Sequence, residues 1–262
     1  MTAMQPIGVF DSGIGGLSIW KEIHKILPKE SIIYLADSKN APYGDKPQKR
    51  IIEFSMKNSE ALINKGCKII VVACNTATTN TISILRKNYN LPFIGIEPAT
   101  KPAAINTTTG KIGILATKGT LVSDLFSNTS QKYAGQVKII ETIGEGLVPI
   151  VESGNLNNAK PLLEKYLLPM VNEGVDNIVL GCTHYPFLIP LIKEIIPKNI
   201  SIIDSGKAVA QQTKNILLEQ DLINKSELPG NYDFFTNSEA IILNGFLNKI
   251  TKARFNISLT QW

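Results

Sequence analysis

Lys68-Ile-Ile-Val-Val-Ala73-Cys74-Asn-Thr76 and Asn177-Ile-Val-Leu-Gly181-Cys182-Thr-His184 decide the fold of this chain. Each is a short apolar run that ends on a thiol followed by small polar groups. Near-continuous apolar runs of this length read as strands buried on both faces, the condition of a parallel sheet covered by helices. Open α/β sheets bind ligands beyond the carboxyl ends of their strands, so each run delivers a thiol to a binding edge. Two thiols placed alike in two halves can approach one small molecule from opposite sides.

The repeat extends outward from these stretches. Ile7-Gly-Val-Phe10 leads into Asp11-Ser-Gly-Ile-Gly-Gly16, and Lys111-Ile-Gly-Ile-Leu-Ala116 leads into Thr117-Lys-Gly-Thr120. Asp11 precedes Cys74 by 63 positions and Thr117 precedes Cys182 by 65, so the spacing is repeated as well as the motifs. Further strand-length runs occur at Ser31 to Ala36, Phe93 to Ile96, Val137 to Ile140 and Ser201 to Asp204. Stretches with helical spacing lie between them, such as Leu162-Leu163, Tyr166-Leu167, Met170-Val171. This alternation predicts an α/β fold of two pseudo-symmetric lobes, each a mainly parallel sheet flanked by helices, with the active site in the cleft between them. Two prolines in Glu97-Pro-Ala-Thr-Lys-Pro102 mark one lobe boundary, and the second crossing follows Asp204-Ser-Gly206. The first lobe is then expected at 1–98 plus 207–262 and the second at 99–206. Ala208 to Gln220 reads as a helix, Tyr232 to Thr236 as a strand and Glu239 to Leu247 as a helix, returning the chain to the first lobe.

Composition narrows the function classes. The 262 residues are 44% hydrophobic and 19% charged, ordinary for a globular protein with a substantial core. No apolar run reaches the roughly 18 to 20 residues that span a bilayer, and Met1 to Gly8 has no leader pattern; a cytoplasmic protein without a membrane partner is expected. The net charge of +5 favours an anionic ligand. Arg50, Arg86 and Arg254 are scattered and the lysines occur singly, which argues against nucleic acid as a partner. Three cysteines without a C-x-x-C pair argue against a disulfide framework or a metal site. Cys67 precedes its strand, ends the helix-like stretch Ile51 to Lys65 and reads as a small hydrophobe. For Cys74 and Cys182, that reading stands beside a reactive one.

The polar loops carry the chemistry. Asp11-Ser-Gly-Ile-Gly-Gly16 offers backbone N–H groups at a helix start to an anion, although Asp11 also fits a simple helix cap. Its spacing is not that of the dinucleotide fingerprint. Cys74-Asn-Thr-Ala-Thr78 and Cys182-Thr-His-Tyr-Pro186 each place a thiol at the mouth of a helix, where free N–H groups and a nearby base make it more acidic. His184, two positions from Cys182, suits that base; His24 lies in the first helix pattern and reads as a packing or surface residue. With no arginine in these loops, Ser12, Tyr43, Asn75, Thr76, Thr183 and loop amides are left to hold an anion. Ala41-Pro-Tyr-Gly44 either fixes the far end of a ligand or is an ordinary turn.

Taken in order, Asp11-Ser-Gly-x-Gly-Gly16, Ala41-Pro-Tyr-Gly44, Ala73-Cys-Asn-Thr-Ala77, Ile96-Glu-Pro98, Val151-Glu152 and Gly181-Cys-Thr-His-Tyr-Pro186 closely resemble the glutamate racemases of the aspartate/glutamate racemase superfamily. The resemblance covers essentially the whole chain. It implies a cofactor-independent interconversion of L-glutamate and D-glutamate, without pyridoxal phosphate, that supplies D-glutamate for peptidoglycan. It also implies a catalytic set of Cys74, Cys182, Asp11, His184 and Glu152. Cys74 would deprotonate D-glutamate and Cys182 L-glutamate, with Asp11 and His184 assisting their respective thiols. Substrate binding is implied for Asp11, Ser12, Tyr43, Gly44, Asn75, Thr76, Thr117, Thr183 and His184, and the family suggests a homodimer. Some relatives with an N-terminal extension are activated by a peptidoglycan precursor; six residues precede the first strand here, so no such activation is expected. One departure is Thr78-Thr-Asn-Thr81, where the family favours small apolar residues, with consequences for helix packing. Two rivals remain: a racemase of another acidic amino acid, whose relatives tend to lack Asp-Ser-Gly and carry glutamate in place of His184, and a two-lobed binding module with inert cysteines.

Overall fold

A computed structural model describes residues 1–262, the side chain of Ala134 excepted. Its strands are β1 (Ile7–Asp11), β2 (Ile32–Ala36), β3 (Ile69–Val72), β4 (Phe93–Gly95), β5 (Lys111–Ala116), β6 (Lys138–Ile143), β7 (Asn177–Gly181), β8 (Ser201–Ile203), β9 (Tyr232–Thr236) and β10 (Asn256–Leu259). They form a six-stranded sheet of order β10-β9-β2-β1-β3-β4 and a four-stranded sheet of order β6-β5-β7-β8, every pairing parallel. The order β2-β1-β3-β4 is repeated as β6-β5-β7-β8, so the duplication legible in the sequence is a duplication of topology.

Helices α1 (Leu17–Ile26), α2 (Gln48–Asn64), α3 (Asn75–Asn88) and α4 (Thr100–Asn106) connect or follow the first four strands. Helices α5 (Lys118–Leu121), α6 (Asp124–Ala134), α7 (Leu147–Glu152), α8 (Lys160–Asn172) and α9 (Ile189–Ile195) do the same in the second sheet, and α10 (Gly206–Glu219) and α11 (Ala240–Ile250) precede the last two strands. Every residue of β1, β3 and β7 is buried, which is why these segments carry no polar alternation. Edge strand β6 has an exposed face and therefore tolerates Glu141 and Thr142, residues that hid its last three positions from a purely apolar reading. Strand β10 was not anticipated either: four residues, mostly exposed, give too short a pattern.

Register sets up the site. Phe10 pairs with Val72 in the first sheet and Ala116 with Gly181 in the second, so each opening loop emerges beside its cysteine loop. Thr78 reinforces one of these exits: its hydroxyl donates to the Val72 carbonyl (3.0 Å) and accepts from the Ile96 amide (3.0 Å), tying α3 to the ends of β3 and β4. Threonine in place of a small apolar residue thus adds strand-end stitching. One continuous apolar cluster contains Ile14 and Leu17 as well as Leu147, Val151 and Leu188, so the two sheets are joined through buried surface. The two crossings between sheets meet where the Ser205 hydroxyl donates to the Glu97 carbonyl at 2.6 Å.

Candidate active site

Both thiols line one cavity, together with Ser12, Tyr43, Gly44, Asn75, Thr76, Thr117, Thr183 and His184. Its free space is about 10 Å³, room for roughly one water. A larger groove of about 590 Å³ lies between α9 and edge strand β8, lined by residues from Ile189 to Ile202, but Lys193 and Lys198 are the ionisable groups in its lining and neither thiol reaches it. Chemistry therefore points to the small, closed space.

Cys74 caps α3. Its sulfur accepts from the Ala77 amide (3.4 Å) and contacts the Ser12 hydroxyl (3.7 Å). The sequence predicted a thiol made more acidic at this position, and the structure reverses that direction. Burial, followed by the nearby Asp11 charge, pushes the Cys74 thiol up, while the Ala77 amide and Ser12 only partly offset this. A single helix-end amide is outweighed by complete loss of water. Asp11 is itself raised by burial, against the lowering influence of His184, the Gly13 amide and Thr183. Its carboxylate accepts from the Gly13 amide and from the Thr183 hydroxyl, both at 2.9 Å. The second of these bonds runs from one sheet's loops to the other's.

Cys182 lies in a different niche. The residues after it form a short 3-10 turn, Tyr185–Leu188, before α9, so the expected helix mouth is displaced and the thiol is no helix cap. Its partner is His184 Nδ1 at 3.7 Å, while His184 Nε2 meets Glu152 at 2.5 Å. Burial would depress the imidazole, yet its hydrogen bonds to Cys182 and Glu152 hold it well above the usual histidine range. Glu152 ends α7 and reaches across to the first sheet's loops, accepting from the Ile14 amide (2.7 Å) and the Ser38 hydroxyl (2.9 Å). Gly13 and Gly15 have to be glycine for this docking: a Cβ on Gly13 would stand 2.0 Å from Glu152 Oε1, and one on Gly15 would stand 2.3 Å from His184 Nδ1.

The threonines and Asn75 complete the rim. Thr76 Oγ1 lies 2.8 Å from Thr117 Oγ1 and 3.2 Å from Thr120 Oγ1, another bridge between the two halves. Asn75 is buried, and among the described residues neither its amide nitrogen nor its oxygen has a partner. A buried amide left open on both atoms is rare and calls for a water or a ligand group to complete it. Tyr43 differs from its sequence reading. Its hydroxyl donates to Asp37 and accepts from Asn58 Nδ2 (3.0 Å), so that hydroxyl is committed behind the cavity.

Sequence reasoning missed Ser18, Ser38, Asp37 and Thr120. Ser18 donates to the Gly15 and Thr183 carbonyls (2.8 and 2.9 Å), and Asp37 also accepts from Asn40 and Asn237. None stands in a motif with a spacing of its own; each matters through a partner distant in sequence. His24 stacks on Trp20 and bonds the Tyr232 hydroxyl at 3.0 Å, away from the cavity, in keeping with a packing role. Cys67 is buried in the apolar layer beneath Gly8, where burial pushes its thiol up to about 12.

Comparison with known proteins agrees with this geometry. Residues 7–213 match the family model described as Asp/Glu/Hydantoin racemase. A glutamate racemase of Herpetosiphon aurantiacus is 40% identical over 90% of this chain and 93% of its own. Among solved structures, a glutamate racemase isoform of Bacillus anthracis superposes with a TM-score of 0.87 at 30% identity, covering 98% of this chain and 97% of that one. Escherichia coli glutamate racemase, solved with L-glutamate and the activator UDP-MurNAc-Ala, gives 0.84 at 30% identity, covering 97% of this chain and 98% of that one. With two such sheets closing on paired thiols, the chain belongs to the Asp/Glu/hydantoin racemase family, on its glutamate racemase branch, and is an amino-acid racemase.

Proposed function

We propose that the chain interconverts L-glutamate and D-glutamate by a cofactor-independent, two-base exchange between Cys74 and Cys182. The observation that carries this reading is that both thiols line one closed cavity beside the unpartnered Asn75. An α-proton is very weakly acidic, so the site must stabilise carbanionic character while a base stands ready. One thiolate removes the proton from one face; the opposite thiol returns a proton to the other, inverting the carbon. Cys74 serves D-glutamate and Cys182 L-glutamate. The substrate's α-ammonium introduces positive charge that favours thiolate over thiol and offsets the burial acting on Cys74.

Asp11 and His184 manage the two protonation states. Glu152 acts through His184 and is a positioning residue in this scheme. Asn75, Ser12, Thr76, Thr117, Thr183 and the amides of Tyr43 and Gly44 hold the carboxylates, Tyr43 by its backbone because its hydroxyl is engaged. A cavity of about 10 Å³ admits no amino acid, so 1–98 plus 207–262 and 99–206 are read as lobes that part and close again. The bonds of Glu152 to Ile14 and Ser38, of Thr183 to Asp11, and of Thr76 to Thr117 re-form behind the substrate. Supply of D-glutamate for peptidoglycan in the cytoplasm, by a homodimer, completes the reading.

The test is turnover of each enantiomer in deuterated water without added cofactor. Racemisation of glutamate with deuterium at Cα is expected. Activity that requires pyridoxal phosphate, or that prefers aspartate, would overturn the assignment.

A further inference from the structure

The first sheet exceeds the second by two strands, β9 and β10, which pair beyond β2 and have no counterpart beyond β6. Two residues carried by that addition reach the loop that lines the cavity. Asn237, just after β9, donates to Asp37 and accepts from the Lys39 amide (2.9 Å). Trp262, just beyond β10, donates from Nε1 to Asn58 Oδ1 at 2.5 Å. Asn58 in turn donates to the Tyr43 hydroxyl (3.0 Å), which donates to Asp37. Asp37 also accepts from Asn40 (2.8 Å), so these bonds converge on Asp37 behind residues 38–45. Tyr43 and Asn58 are 1% exposed, so the two bonds of the Tyr43 hydroxyl are shielded from water, where losing one partner is costly, and the Trp262 bond that backs them is part-buried. The Trp262 ring packs on the same apolar layer as Tyr43 and Ile51.

We infer that Trp262 and Asn237, just beyond the two strands that break the molecule's pseudo-symmetry, are positioning residues for the Tyr43–Gly44 side of the substrate site. The inference rests on the racemase reading above and adds residues to it. A loop that must hold a carboxylate through backbone amides needs its backbone fixed, and here the fixing groups come from the carboxyl-terminal strands. The second sheet presents a short helix, α5, after strand β5, the equivalent of β1.

Trp262→Phe keeps the ring and removes the donor. In the full-length enzyme, it is expected to raise KM for both enantiomers about fivefold, the value of one net hydrogen bond, with kcat within twofold. Asn237→Ala should act in the same direction. In a Tyr43→Phe background, Trp262→Phe should add nothing, because the bonds from Trp262 reach Asp37 only through that hydroxyl. A merely structural tryptophan would lower the folded fraction, hence kcat, and leave KM in place; that result, or an unchanged KM in Trp262→Phe, overturns the inference. As a second measurement, Trp20→Phe leaves Trp262 as the sole tryptophan, and its emission should change on titration with D-glutamate. Constant emission counts against the inference. An inactive wild type would sink the racemase reading, whereas constant emission in an active enzyme overturns this inference alone.

Discussion

Cys74 and Cys182 leave equivalent strands of equivalent sheets, yet their surroundings share almost nothing. Cys74 caps a 14-residue helix, touches Ser12 and is raised by burial and by Asp11. Cys182 precedes a 3-10 turn and faces an imidazole backed by Glu152. Topology was duplicated; protonation chemistry was not. Burial and Asp11 favour the protonated form of Cys74, the acid that L-glutamate requires in the proposed reaction, while His184 is the neighbour of Cys182. The following residues differ too: the Thr183 hydroxyl is satisfied by Asp11, whereas Asn75 is open on both atoms among the described residues.

The hardest blow to this comparison is removal of either sulfur. Cys74→Ala and Cys182→Ala should each lower racemisation on the order of 10³-fold, the scale of a lost acid/base group. In deuterated water, Cys74→Ala should still exchange the α-proton of L-glutamate and Cys182→Ala that of D-glutamate. Exchange of the same enantiomer by both variants would break the facial assignment.

Next in size is Glu152→Gln. Without the carboxylate, His184 loses one of the groups that hold it protonated, so the alkaline limb of the pH–rate profile should move to lower pH. kcat/KM is expected to fall about 10- to 100-fold from L-glutamate and less from D-glutamate. Equal losses in both directions would show that the two niches are not independent. Stability carries the same sign: a histidine raised in the folded state contributes fully below its unfolded value near 6.5 and loses that contribution as pH climbs through the raised value. Denaturation midpoints should therefore decline on the alkaline side for the wild type and less steeply for Glu152→Gln.

Asn75→Leu sharpens the contrast with Thr183. Removing two unsatisfied buried atoms should stabilise the fold by about 1–3 kcal/mol while KM rises roughly tenfold, a trade of stability for binding. Thermal melts and steady-state kinetics on one preparation check both halves; destabilisation would mean that Asn75 is satisfied in solution. The smallest effect belongs to the third thiol. Cys67→Ala should leave turnover within twofold, since this sulfur only packs beneath Gly8, and a larger loss would add a third niche to the comparison.

The chain's alternation of buried strands and amphipathic helices was legible because parallel strands covered on both faces must be apolar throughout. Both thiols, the glycine loop and His184 were legible for a related reason, each following a strand end at a repeated spacing. Strand β10 and the end of β6 were not, since exposed edge positions relax the pattern that identifies them. Tyr43 shows the limit most clearly. Its place in the loop could be read, whereas the direction of its hydroxyl depends on Asp37 and Asn58, six and fifteen positions away along the chain.

By itself, the sequence determined that two βα repeats would each carry a thiol to a strand's carboxyl end, because local hydrophobic periodicity and strand-end motifs are properties of neighbouring residues. Only the tertiary structure decided how those thiols differ. Whether burial or a helix-end amide governs Cys74, and that Glu152 crosses from one sheet to hold His184 and Ile14 together, are settled by contacts between residues distant along the chain, 138 positions apart for Ile14 and Glu152, and by the exclusion of water around them.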